Sequence, residues 1–147
     1  MKEKLLISAC LIGENCKYNG SNNLIDKLDL LKEKYILIPV CPEQLGGLST
    51  PRVPSEIKDG NVFNAIGEDV TNAFLKGAKA ALRIAEDNNC KFGLLKERSP
   101  SCGVNFIYNG NFNGKCIKGT GITAKLLRNA GMNIFSEEEV ENLLNNL

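Results

Sequence analysis

The sequence predicts an α/β fold: one three-layer domain over residues 1–147, with a mostly parallel sheet of about four strands and small hairpin insertions. Short apolar runs of strand length alternate with helical patterns, the order expected of βαβ units. The run at 35–40 is almost unbroken, as in strands buried on both faces. Two Gly- and Asn-rich turns mark hairpins between those units.

The first strand is expected at 4–9, followed by a polar loop from Cys10 to Asn22. An amphipathic helix is expected from Asn23 to Glu33, with Leu24, Leu28 and Leu31 on one face. The second strand, 35–40, leads into an irregular Gly- and Pro-rich stretch, Cys41 to Asp69. Within that stretch, Glu56–Phe63 reads as a hairpin turning at Asp59-Gly60. Val70, Ala73, Phe74, Gly77, Ala81 and Ile84 recur at helical spacing and predict a helix over 69–88. A third strand is expected at 91–95, and a second hairpin pairs Asn105–Tyr108 with Lys115–Ile117. Gly119-Thr120-Gly121 opens a helix that runs to Asn129 and stops at Gly131. A fourth strand over 132–135 precedes a last helix, with Ser136 as N-cap and Glu137, Glu138 and Glu139 in its first turn.

Composition narrows the function classes. Hydrophobic residues make up 43% and charged residues 24%, ordinary values for a globular protein. The net charge of +1 gives no electrostatic footprint for tight nucleic-acid binding. The apolar runs fall well short of the ~20 residues of a membrane span. The short strand after Met1-Lys2-Glu3 does not read as a secretory leader, so a cytoplasmic location is expected. In that setting the six cysteines read as metal-binding, catalytic or buried thiols rather than disulfides.

Cys10, Cys41 and Cys102 each fall just past a predicted strand. In an open α/β sheet those loops share one edge, where ligands bind. The chain has no histidine, so a site there is a sulfur site or none. Cys90 opens a strand at the opposite edge and Cys116 lies in a hairpin; both read as packing residues. Cys16, beside the Lys17 cation, stands open as a fourth ligand or a nucleophile. On spacing alone, a metal or cluster site and scattered structural thiols remain alternatives. A structural zinc favours Cys-x2-Cys pairs, and none occurs. Three cysteines on a [4Fe-4S] cubane would leave one iron without a protein ligand, free to act as a Lewis acid towards sulfur.

Three stretches are recognisable. Ser8-Ala9-Cys10-Leu11-Ile12-Gly13-Glu14-Asn15-Cys16-Lys17-Tyr18-Asn19-Gly20 resembles the opening signature of the thiouracil desulfurase (TudS) family. Cys41-Pro42-Glu43-Gln44-Leu45-Gly46-Gly47-Leu48-Ser49-Thr50-Pro51-Arg52 and Leu95-Lys96-Glu97-Arg98-Ser99-Pro100-Ser101-Cys102-Gly103 resemble its later motifs, in the same order. Lys17 and Asn19 stand where the pattern expects Arg and Asp, a departure that concerns substrate contacts rather than the cluster.

The resemblance implies a [4Fe-4S] cluster on Cys10, Cys41 and Cys102, with Cys16 as the substitute for one of them. It also implies non-redox hydrolysis of a thiocarbonyl to a carbonyl in a small thiolated pyrimidine such as thiouracil or 4-thiouridine. Transfer RNA is a further conceivable partner that the charge does not indicate. Without histidine a carboxylate must move the protons, and Glu43, two residues past Cys41, is the candidate acid/base. Ser101, and more distantly Ser99, are candidates to hydrogen-bond the substrate or the leaving sulfide, with Cys16 a further catalytic candidate. Lys17 and Arg52 are candidates to orient the ring or a phosphate, against a plain surface-charge reading. Two rivals remain: a redox or binding module with all four irons held by cysteine, and a zinc-stabilised structural protein.

Overall fold

The computed structural model describes residues 2–145. In chain order its elements are β1 (Glu3–Ser8), α1 (Leu28–Lys34), β2 (Tyr35–Val40), α2 (Pro42–Leu45), β3 (Ser55–Lys58) and β4 (Asn61–Asn64). Then follow α3 (Thr71–Asp87), β5 (Phe92–Leu95), β6 (Phe106–Tyr108), β7 (Cys116–Lys118), α4 (Ile122–Asn129), β8 (Asn133–Ser136) and α5 (Val140–Asn145). Strands β2-β1-β5-β8 form a four-stranded sheet in that order, and each neighbouring pair is parallel. β3–β4 and β6–β7 are separate antiparallel hairpins.

The alternation of β1 decides the layers. Leu6 joins Ala81 and Ala85 of α3 and Ala124 and Leu127 of α4 in one core. Leu5 and Ile7 point the other way, joining Leu31 of α1 and Val140 and Leu143 of α5. The result is the expected three-layer fold, helices on both faces of a parallel sheet.

β2 differs from its expected burial. It lies at the sheet edge, so Ile36 and Pro39 are exposed, and an edge is where a strand proline belongs. The first helix is also shorter than its pattern. Asn23 and Ile25 donate their N–H groups to the carbonyls of Cys10 and Leu11, at 2.9 and 3.1 Å, so this segment is tied to the Cys10 turn. Helix begins only at Leu28, and Leu24 is exposed. The Asp59-Gly60 turn has positive φ at both residues, 52° and 81°, as a tight hairpin turn of the I′ kind requires. Ser136 and Glu139 form the expected capping box.

The short helix α2, which the irregular Cys41–Asp69 stretch did not announce, rests on α3 through two glycines. A Cβ on Gly77 would stand 1.8 Å from the Pro42 carbonyl oxygen, and one on Gly46 would stand 2.0 Å from the Ala73 carbonyl oxygen. This backbone-on-backbone contact fixes α2, and with it Cys41 and Glu43, at the carboxyl end of the sheet. No helix of the described residues is long and apolar enough to cross a membrane.

Candidate active site

The chain leaves β1 towards β2 on one side and crosses to β5 on the other, so the strand order reverses beside β1. Such a switch point opens a crevice at the carboxyl ends of the strands. Its floor is closed by the Lys96 N–H, which donates to Ser8 Oγ at 3.0 Å. Above it lies a cavity of about 540 Å³, within the ordinary range for small-molecule sites.

Cys10, Cys16, Cys41 and Cys102 all line this cavity. The Cys16 thiol is within hydrogen-bond reach of Cys10 and of Cys41. Its donation lowers the Cys10 thiol, and it lowers Cys41 to about 7, in both cases against the cost of burial. Cys16 itself is pushed far up by the same two bonds. Cys41 Sγ also stands 3.8 Å from the Cys16 carbonyl oxygen. Cys102 is buried, and burial raises its thiol to about 12 although Ser8 and Ser101 stand within hydrogen-bond reach. The Asn23 side chain bonds the Cys10 thiol while its N–H holds the Cys10 carbonyl, so one residue clamps both ends of that cysteine.

A polar chain runs beside the thiols. Arg52 Nε donates to Glu43 Oε1 at 2.9 Å, and Ser101 Oγ donates to Glu43 Oε2 at 3.0 Å. Direction along the chain follows from counting protons. Ser99 Oγ accepts the N–H groups of Ser101 and Cys102, at 3.2 and 3.0 Å, which fills its two lone pairs. Its own proton therefore faces Ser101 Oγ, 2.9 Å away. Ser101 is left with one proton, aimed at the Glu43 carboxylate in preference to Cys102 Sγ at 3.6 Å. The Ser101 carbonyl also takes the N–H groups of Thr123 and Ala124 at the start of α4, which fixes the loop.

All nine residues singled out in the sequence line this one cavity: Cys10, Cys16, Lys17, Cys41, Glu43, Arg52, Ser99, Ser101 and Cys102. Arg52 is not the surface charge it resembles. Its side chain is 8% exposed, with Nη2 on the Cys16 carbonyl at 2.9 Å and Nη1 on the Ser49 carbonyl and Thr50 Oγ1 at 3.2 and 2.9 Å. Lys17 lies 5.8 Å from the centre of the Tyr18 ring, a cation–π arrangement. Cys90 is buried in the core, but Cys116 is exposed, so the packing role expected for it falls away.

Glu97 carries a task the sequence did not announce. It is 1% exposed, and its Oε1 accepts N–H groups from Val104, Asn105 and Phe106 at 2.8, 2.9 and 3.1 Å. Burial alone pushes this carboxyl up, but the hydrogen bonds outweigh it and hold the group below its ordinary range. The whole Ser99–Phe106 turn thus folds around one buried carboxylate. Asn23, Tyr108 and Phe112 also line the cavity without having been foreseen. The signal for Asn23 and Glu97 was their place inside or beside the cysteine motifs; nothing local marked Phe112.

Among the described residues, no three Cys, Asp or Glu side chains are gathered as the ligands of a single ion would be. Iron–sulfur clusters are held by cysteine thiolates, and being several atoms across they ask those sulfurs to stand further apart. The donor set here, thiols converging on one cavity from separate loops with no imidazole among them, fits such a group.

Comparison with known proteins bears on the fold, the family and the cofactor. A solved structure described as [4Fe-4S]-dependent thiouracil desulfidase TudS superposes with a TM-score of 0.91 at 42% identity, covering 97% of this chain and 95% of that one. A protein of Bacillus subtilis (strain 168) described as uncharacterized protein YbbK is 44% identical over 150 residues, covering 95% of this chain and 99% of the relative. The sequence model of the 2-thiouracil desulfurase family matches residues 5–139, and the chain belongs to that family.

Proposed function

We propose that this protein is an iron–sulfur-dependent desulfidase that hydrolyses the thiocarbonyl of a small thiolated pyrimidine, without net redox change, releasing sulfide. The observation that carries the reading is one cavity in which four thiols face a Glu43 carboxylate held by Ser101 and Arg52. The [4Fe-4S] description of the 42%-identical neighbour supports the same cofactor here. Cys10, Cys41 and Cys102 are the residues to hold the cluster, with Cys16 beside them as a thiol donor. When bound through three protein thiolates, the cluster supplies an open iron, a Lewis acid matched to sulfur.

The proton work falls to the chain. Glu43 takes a proton from the water that adds to the ring carbon and returns it to the sulfur as the C–S bond breaks. Thiocarbonyl and water thereby become carbonyl and hydrogen sulfide, and the atoms balance with no reductant. Arg52 fixes the carboxylate through Oε1, and Ser101 directs its second oxygen. Ser99 acts through Ser101, while Lys17 is a cation placed to orient the ring or a phosphate. Free thiouracil and the nucleoside 4-thiouridine are the substrates to try first; the near-neutral charge argues against tight tRNA binding. A cytoplasmic location suits such a cluster and the six free thiols.

The position of Cys16 favours one rival, a fully cysteine-ligated redox or binding module. Anaerobic reconstitution with iron and sulfide, then incubation with 2-thiouracil and 4-thiouridine, separates the two. Loss of thiocarbonyl absorbance with sulfide release and no added reductant supports the desulfidase. A stable four-iron protein without turnover, whose cluster is lost in Cys16→Ser, supports the rival.

A further inference from the structure

The two hairpins are not loose insertions, because they are bolted together over the cavity. Glu56 of β3 accepts the N–H groups of Gly110 and Phe112, at 3.0 and 3.1 Å, from the β6–β7 turn more than fifty residues away. Lys58 Nζ donates to Asn111 Oδ1 at 2.7 Å. The approach is so close that a Cβ on Gly110 would stand 2.6 Å from the Ile57 carbonyl oxygen. This clamp holds Phe112 in the left-handed region, φ 53°, a conformation that bulky residues avoid. Phe112 is 40% exposed yet lines the same cavity as the thiols and Glu43, together with Tyr108. A strained backbone and an apolar ring left in contact with water are two local costs at one position. Both are accounted for if the ring has a planar partner.

We propose that Phe112, held by Glu56, is the stacking platform for the pyrimidine ring and a specificity-determining residue of this site. The inference rests on the thiolated-pyrimidine reading above and adds to it the side chain that selects a flat heteroaromatic ring. Stacking of a base on an aromatic side chain is worth about 1–3 kcal/mol, or roughly 5- to 150-fold in affinity. The reacting atoms lie with Glu43 and the thiols, so the platform acts on binding more than on the chemical step.

The test is anaerobic calorimetry of 2-thiouracil binding to the cluster-loaded protein, with KM and kcat in parallel, for the wild type, Phe112→Leu, Phe112→Trp and Glu56→Ala. Leu and Trp carry the same backbone strain as Phe, so they differ only in what they offer the ligand. Phe112→Leu is expected to weaken binding and raise KM about tenfold or more, with kcat within about threefold. Phe112→Trp is expected to keep wild-type affinity, and Glu56→Ala to follow Phe112→Leu at unchanged iron content. Wild-type affinity in Phe112→Leu overturns the platform while leaving the desulfidase reading intact, as does a Phe112→Trp variant as weak as Phe112→Leu. Binding that depends on Phe112 in a protein that never releases sulfide overturns the desulfidase reading and keeps the platform. A wild type that does not bind 2-thiouracil overturns the platform outright.

Discussion

Glu43 accepts a guanidinium on one oxygen and a hydroxyl on the other, so its two neighbours separate by what they leave behind. Replacing Glu43 by Gln removes the proton acceptor and is expected to lower kcat by about 10²–10⁴ in a sulfide-release assay. Ser99→Ala is a finer probe, because it keeps the Glu43 and Ser101 side chains while removing the acceptor of the Ser101 and Cys102 N–H groups. The Ser101 proton then loses its fixed direction and swings between Glu43 and Cys102, for a loss of about five- to tenfold, the worth of one hydrogen bond. Ser99→Thr keeps a hydroxyl and should restore most of the rate; an unimpaired Ser99→Ala would show that the serine chain is idle. Little of this was legible from residue types. Arg52 reads as a surface charge because its acceptors, the Cys16 carbonyl and Glu43, are 36 and 9 residues away and become neighbours only through the fold.

The contact between α2 and α3 sets the position of the carboxylate, and it predicts a reversal of the usual helix rule. Alanine in place of glycine inside a helix ordinarily stabilises by about 0.5–1 kcal/mol. In Gly77→Ala the new methyl group meets the Pro42 carbonyl instead, so a loss of about 1–3 kcal/mol is expected, with poorer iron uptake as Cys41 and Glu43 shift. Thermal denaturation decides it, since a raised Tm is incompatible with that contact. Elements with long periodic patterns were legible: α3 runs within two residues of its expected bounds, and the Asp59-Gly60 turn lies where its sequence demands. The first half of the 23–33 pattern failed because Asn23 and Ile25 give their N–H groups to the Cys10 turn, a competition that periodicity does not register. Helix α2 was invisible because four residues carry no period.

At the scale of the molecule, acid stability and cofactor loading are the readable properties. Glu97 has a lowered carboxyl in the folded state, so its contribution is present above the ordinary value near 4.5 and is lost as pH falls through the folded value. Glu97→Gln should therefore be less stable than the wild type at neutral pH by about 1–3 kcal/mol, and the gap in Tm should close in acid. A gap that persists in acid would mean the amide fails for shape rather than charge. Metal-free protein should keep its far-UV circular dichroism, because both cores are built chiefly of aliphatic side chains, with Cys102 the one cluster cysteine among their buried members. Reloading should raise Tm as any ligand of the native state does. The convergence of Cys10, Cys41 and Cys102 was legible because one topological rule governs where loops after parallel strands lie. The role of Phe112 was not, since it depends on Glu56, 56 residues away, and Asn23 and Glu97 carried no mark beyond their place in or beside the cysteine motifs. The sheet order also has a consequence for synthesis on the ribosome. β1 and β2 pair early and bring the Cys10, Cys16 and Cys41 loops to one edge, but Cys102 follows β5, which must insert beside β1 after some ninety residues. A nascent chain that has not yet threaded β5 therefore lacks the Cys102 side of the site, so cluster loading is expected to follow completion of the sheet.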